Sequence, residues 1–379
     1  MVLLTLGVAG CSEGEPDAPV PFGPPGTWAA LGTPEGPVLN LTLASPSELY
    51  VAAGAAGLFH LDVSEPGRAF EPLGLANDVA EPSVGVEDVD VRGDVLLAVS
   101  TASLDLGEGP IPAGVFRSED RGRTWARSDA GMAGPAFPAS PAFRVARSPA
   151  DPDVVVTGHG PAFRSADGGR TWELAYPDQL GTTSLFFGVV WHPTRPDEVW
   201  AFGETNRFQP YLLRSTDGGR EWTLYSGLSE LLVYRDNAFG AMAFAPDGPA
   251  TVWLGGQGAV FVSAEGGLDW IRPEPLEALF YADARFDPCR GLAPHPERPG
   301  VLFASCGPAV FLAEGGAVHR LPSPNDGVVS ALRYDPSADA LYLGAADGVF
   351  RLAAPLRAPR EPYDPAGWTA SASSPRVSF

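Results

Sequence analysis

No lysine occurs in this chain of 379 residues, and all 25 of its basic side chains are arginine. Without a lysine amine, Schiff-base chemistry is excluded, as is a Walker-type phosphate loop, which needs that amine beside its glycines. Isoleucine and asparagine are scarce as well, and charged residues make up only 19%. Base is short against acid. The 46 acidic residues leave a formal charge of −21, and so acidic a surface repels phosphate backbones, which argues against a nucleic-acid partner. The five histidines (His60, His159, His192, His295 and His319) show no metal-ligand spacing, so neither a metal nor a cofactor is implied. No apolar run approaches the roughly 20 residues of a spanning helix, and none keeps a helical period beyond a few turns. There is no G-x-S-x-G elbow to place a nucleophilic serine.

What is present points to strands and turns. Glycine (45) and proline (40) together exceed a fifth of the chain, while 45% hydrophobic residues supply ample core. Aligning the chain with itself reveals a repeat. Four segments match without gaps: SEDRGRTW (Ser118 to Trp125), SADGGRTW (Ser165 to Trp172), STDGGREW (Ser215 to Trp222) and SAEGGLDW (Ser263 to Trp270). Their shared positions are Ser118, Asp120, Gly122 and Trp125, then Ser165, Asp167, Gly169 and Trp172. Ser215, Asp217, Gly219 and Trp222 follow, then Ser263, Gly267 and Trp270, with Glu265 in the fourth acidic place. The pattern resembles the Asp-box, or BNR, repeat found in sialidases, sortilin-type receptors, xyloglucan-hydrolysing endoglucanases and photosystem assembly factors. The resemblance implies a β-propeller in which the boxes are folding devices at the outer edge of each blade. In such a turn the Asp caps backbone N–H groups, Gly supplies positive φ, and the indole packs over the turn.

An aromatic-bearing apolar strand precedes each box and recurs seven times, from Leu58-Phe59-His60-Leu61 to Val349-Phe350-Arg351-Leu352. Upstream lie proline turns such as Pro149-x-x-Pro152 and Pro296-x-x-Pro299, each followed by another apolar strand. Four antiparallel strands in a unit of about 48 residues make a propeller blade, and residues 27–379 hold about seven such units. The fold expected is all-β, a single seven-bladed β-propeller of four-stranded antiparallel blades, acting as a monomer. One blade normally joins both chain ends. Either Thr27-Trp28-Ala29-Ala30-Leu31 or Gly367-Trp368-Thr369 could supply its outer strand, so residues 353–379 are partly tail or part of the ring closure.

The chain opens on ten apolar residues running into Cys11, and Val8-Ala9-Gly10-Cys11 resembles the bacterial lipobox. That resemblance implies a signal peptide over 1–11, acylation of Cys11, and a disordered Pro/Gly/acidic tether over 12–26. Ser12 after the cysteine resembles outer-membrane sorting in Gram-negative bacteria, so the expected location is exported and lipid-anchored. Cys289 opens one inner strand and Cys306 closes its hairpin partner, symmetrically about the turn His295–Gly300. They should face each other and form a disulfide in an oxidising compartment.

Propeller topology sends two sets of connections to opposite faces. The longer set, Thr101–Ala113, Glu173–Thr183, Gly203–Pro210, Thr223–Asn237 and Ile271–Pro288, should form a binding face for a protein or glycan. Arg235, Asp236, Tyr281, Asp283, Arg285 and Asp287 are the candidate binding residues there. Sialidase chemistry would require three arginines on the substrate carboxylate, a Tyr–Glu nucleophile pair and an acid. Phe143-Arg144-Val145-Ala146 resembles the F-R-I-P motif, but it follows the first box, and Arg290 and Arg333 would have to complete the set. No Tyr–Glu pair matches, so a structural role for Arg144 and a non-enzymatic binding or assembly propeller are the preferred expectations. A xyloglucan-type hydrolase places its acids between two propellers, for which this chain is too short.

Overall fold

In the computed structural model the described residues are 22, 24–102, 104–105, 110–111, 113–132, 143–158, 161–177, 185–204, 210–225, 239–245, 251–256, 259–267, 270–271, 289–298 and 300–362. They form seven antiparallel blades, numbered here in chain order. The innermost strands are Asn40–Ser45, Val86–Arg92, Arg144–Arg147, Leu185–Trp191, Ala241–Phe244, Cys289–Pro294 and Val329–Asp335. Each touches the next, and the last touches the first, so they close a ring around a central channel. The long apolar strands are second and third in each blade, where both faces are covered. Val95–Ser100 and Leu302–Cys306, for example, are buried almost end to end.

Core lies between blades, not within them. Each buried hydrophobic cluster draws on two successive blades: Leu97, Val99 and Val115 of blade 2 meet Val145, Val155 and Phe163 of blade 3. Trp200 and Phe202 of blade 4 likewise meet Phe239 and Leu254 of blade 5. Burying one such side chain contributes roughly 1.5–3 kcal/mol, so no blade is stable away from its neighbours.

The ring is closed by the N-terminal candidate. Trp28–Gly32 is the outer strand of blade 7, pairing Trp28 with Leu352 and Ala30 with Phe350. The Trp28 indole donates to the Pro322 carbonyl at 2.6 Å. Phe22 lies over the Arg351 guanidinium at 4.4 Å, and the Gly26 N–H donates to Ala353 O. Glu361–Pro362 does not close the ring but adds a fifth strand to blade 6, beside Ala317–Leu321. Gly367-Trp368-Thr369 lies outside the described residues. In blade 5 the fourth strand is represented by Ile271, which bridges Val262.

The box turns are ordered by side chains. Ser165 Oγ accepts from the N–H groups of Asp167 and Gly169, while Asp167 Oδ1 accepts from those of Arg170 and Thr171. Gly169 needs φ +84°, and a Cβ there would stand 2.8 Å from Leu97 of blade 2. The boxes therefore do more than reverse the chain. Arg117 Nε donates to Gly168 O and Arg164 Nε to Gly218 O, in each case from one blade into the next blade's box. The indoles divide: Trp222 and Trp270 bond their own turns, as expected, but Trp125 and Trp172 reach back to Leu73 O and Ser128 O of the preceding blade.

Candidate functional site: the central channel

All seven innermost strands contribute to one cavity of about 1340 Å³ along the ring axis. Its charged lining residues are Asp88, Asp90 and Glu204 against Arg144, Arg147, Arg290 and Arg333. Among the described lining residues four bases stand against three acids, near balance inside a protein of charge −21.

Most of this charge is engaged in a network across blades 7, 1, 2 and 3. Arg333 Nη2 donates to Asn40 Oδ1 at 2.9 Å, and Asn40 Nδ2 donates to Asp88 Oδ1 at 2.7 Å. Asp88 also accepts from the N–H groups of Val89 and Val145. Burial pushes the Asp88 carboxyl up, opposed by Arg144, those N–H groups and Arg333. Burial likewise lowers the Arg333 guanidinium, opposed by Asp88. Lower in the channel, Arg147 Nε donates to Asp90 Oδ1 at 2.6 Å.

Arg144 is held by main chain. Its Nε donates to Phe187 O at 3.0 Å, and its Nη1 to Phe143 O at 2.7 Å, with Glu87 Oε2 3.9 Å away. Glu87 and Glu204 have carboxyls pushed up by burial, and Arg290 works against that shift in both. Local folding explains how these groups reach the channel. β-Bulges between Val86 and Asp88, Phe186 and Gly188, and Cys289 and Gly291 insert Glu87, Phe187 and Arg290 at the loop-side ends of inner strands. Cys289 and Cys306 pair in register across blade 6 and are joined by a disulfide, S–S 2.03 Å, next to Arg290.

Arg144, Arg290 and Arg333, named as the three arginines a sialidase would need, thus share one cavity. The channel's tyrosine, Tyr334, sits at the opposite end with His295 Nε2 at 3.2 Å and Asp339 Oδ1 at 2.9 Å, and burial pushes its hydroxyl up. Among the described residues its side-chain hydrogen-bond partners are His295 and Asp339. Arg235, Asp236, Tyr281, Asp283, Arg285 and Asp287 lie outside the described residues. Parts of the expected loops are strands: Glu173–Tyr176 and Thr223–Tyr225 are outer strands, and Thr101–Ala113 carries a small hairpin, Leu104–Asp105 with Pro110–Ile111. These outer strands begin immediately after the box Trp, so the connections start later than their length in sequence suggests.

Sequence reasoning missed the Asp88–Asn40–Arg333 network. The only signal was polar residues at the inward places of the inner strands. It also missed the turn caps, where His192 Nδ1 accepts from the Thr194 and Arg195 N–H groups and His295 Nδ1 from that of Glu297. There the signal was a polar residue immediately before three of the proline turns, Ser148, His192 and His295.

No family model matches the chain, and no curated protein does. Solved structures do. A GH74 xyloglucanase from Xanthomonas campestris is 18% identical with TM-score 0.64 over 86% of this chain and 54% of its own. YCF48 bound to D1 peptide is 14% identical with TM-score 0.59 over 86% and 96%. YCF48 from Cyanidioschyzon merolae is 14% identical with TM-score 0.58 over 87% and 99%. The chain spans about half the length of the GH74 enzymes it matches. The class so defined is the seven-bladed β-propeller, and at these identities the likeness concerns the fold alone. Neighbours of that fold include both glycoside hydrolases and the peptide-bound YCF48.

Proposed function

We propose that this chain is a non-enzymatic, surface-tethered binding or assembly propeller that takes a protein or glycan at the loop face of its channel. The observation that carries the reading is the engagement of the channel's charges. Arg144 and Arg333 donate to carbonyls and to Asn40, and Asp88 accepts from three donors. Groups so bound make a rigid, shaped wall, whereas a hydrolase needs an acid and a nucleophile or base open to substrate. The complex of YCF48 with D1 peptide supports a peptide-binding use of this fold. The tether would be the acylated Cys11, on an exported monomer held at the outer membrane.

A sialidase-type hydrolase is the second reading, favoured by the meeting of Arg144, Arg290 and Arg333 with Glu204 in one cavity. Purified protein incubated with a fluorogenic sialoside and with xyloglucan oligosaccharides separates the two. No turnover of either is expected, and hydrolysis that Arg144→Ala eliminates overturns the non-enzymatic reading. For the tether, Cys11→Ser should release the protein from the membrane fraction and abolish labelling by a fatty-acid analogue. An unlabelled wild type rejects it.

A further inference from the structure

The repeats are near copies, so an open place in one where its sisters are closed marks a departure from folding need. Such a place lies on the outer rim between blades 2 and 3. It is a groove of about 330 Å³ lined by Arg117, Glu119, Trp125, Ala126, Ser128 and Arg170, at the low end of ligand-pocket sizes of roughly 300–1,000 Å³. Three places within the repeat distinguish it from blade 3 or blade 4. After the box Trp, blade 2 has Ala126 where blades 3 and 4 have Glu173 and Thr223. Two places on it has Ser128 where blade 4 has Tyr225. Beside the box Ser it has Glu119 where blade 3 has Ala166. In blade 3 the equivalent space is closed: Arg164 folds onto Glu173 at 3.2 Å, and Trp172 is only 5% exposed. Trp125 is half-buried, its ring fixed by the bond from Nε1 to Leu73 O at 2.7 Å.

Two guanidinium groups converge in this groove, each anchored from behind by main chain. Arg117 Nε donates to Gly168 O at 3.3 Å and Arg170 Nη1 to Asp167 O at 3.0 Å. Their remaining donors meet on the carboxylate of Glu119, which Arg170 Nη2 reaches at 3.0 Å and which is 63% exposed. Two guanidinium groups thus share one exposed carboxylate in the groove. At physiological salt, charges beyond about 8 Å are screened, so the protein's overall acidity weighs less here than this pair.

We infer that the groove is a saccharide site for a carboxylate-bearing pyranose, with the sugar ring against the Trp125 indole and its carboxylate on Arg117 and Arg170. An aromatic face suits the apolar side of a pyranose, and a guanidinium pair gives charge-assisted bonds that a neutral sugar cannot match. Glu119 holds the pair in place when the groove is empty and yields to the ligand's own carboxylate. The site is separate from the channel and stands whether or not the loop-face reading does.

Calorimetric titration with trigalacturonate, and with galactotriose as its neutral counterpart, tests this on the full chain. Trigalacturonate should bind, and galactotriose about tenfold more weakly or worse, the loss of one charge-assisted bond. Ala126→Glu installs the blade 3 residue and should close the groove, reducing trigalacturonate affinity about tenfold or more with the melting temperature unchanged. Arg170→Gln, at an exposed side chain, should weaken binding likewise, and Glu119→Ala should strengthen it. Absence of trigalacturonate binding, equal affinity for galactotriose, or affinity unmoved in both Ala126→Glu and Arg170→Gln overturns the assignment.

Discussion

Arg164→Ala tests whether the boxes join blades as well as turn the chain. Arg164 is 3% exposed, and its Nε reaches Gly218 O of blade 4 at 2.7 Å. Removing it leaves a carbonyl between blades without its donor, about 1–3 kcal/mol, and strips a buried aliphatic stem worth somewhat less than 0.8 kcal/mol per methylene. The expected loss is about 2–4 kcal/mol, read as a lower urea midpoint at constant slope. Arg164→Lys keeps the stem and charge but not the fork, and should recover part of it. Asp217→Ala disorders the turn that presents Gly218, where Asp217 Oδ1 accepts from the Arg220 and Glu221 N–H groups, and should cost about 1–2 kcal/mol. Because the latch requires the ordered turn, the double variant should lose less than the sum by about 0.5–1.5 kcal/mol. An Arg164→Ala midpoint within about 0.5 kcal/mol of wild type, or strict additivity with Asp217→Ala, refutes the latch.

Other expectations follow from single contacts. Converting both Cys289 and Cys306 to serine opens a link spanning 17 residues and should cost about 3 kcal/mol in chemical denaturation; two reactive thiols in the denatured, unreduced wild type would contradict the bond. Asp88→Ala strips the channel's arginines of their buried counter-charge and should cost about 3–5 kcal/mol, while Asp88→Asn, whose one amide oxygen can still accept from Val89, should cost less in thermal melts. Acid should act in two windows. Burial lowers His295, whose neutral Nδ1 accepts from Glu297, so its contribution is complete above about pH 6.5 and fades below it. Asp120 is held at about 2, chiefly by Thr124; Asp167 is held at about 2 by Thr171 and Ser165 against the effect of burial. Their contribution is present above about pH 4 and lost as pH falls through 2. Urea midpoints that stay level from pH 7 to 5 in wild type would refute the histidine part.

What the sequence discloses depends on how local each device is. The box turns were legible because Ser165, Asp167 and Gly169 satisfy one another within five residues, and their spacing repeats. The blades were legible because apolar runs such as Val310–Ala313 recur at a constant period. Ring closure was not decided, since Trp28 and Trp368 both head plausible strands and only the distant edge at Leu352 selects one. The Arg latch left a trace, an arginine before the box serine at Arg117 and Arg164, but its acceptor belongs to another blade, and Arg214 at the same place turns instead to Glu198 of its own blade. The channel network was illegible because Asn40, Asp88 and Arg333 come from three blades, and bulges shift which inner-strand residues face the axis. The rim groove is a difference among repeats, visible only once Ala126 and Glu173 are known to occupy equivalent places.

The pairing of Trp28 with Leu352 also fixes an order of events. Trp28–Gly32 must wait for a partner made more than three hundred residues later. Until then the edge of blade 7 does not exist, and the flank of blade 1 that packs on it through Val38, Leu41 and Leu49 stays uncovered. Loop-closure entropy for so distant a contact must be met before any reward is gained, so ring completion should be the slow step of folding. A chain interrupted before residue 352 has no finished form to fall back on, only an open arc with two bare edges, which is the state most exposed to aggregation.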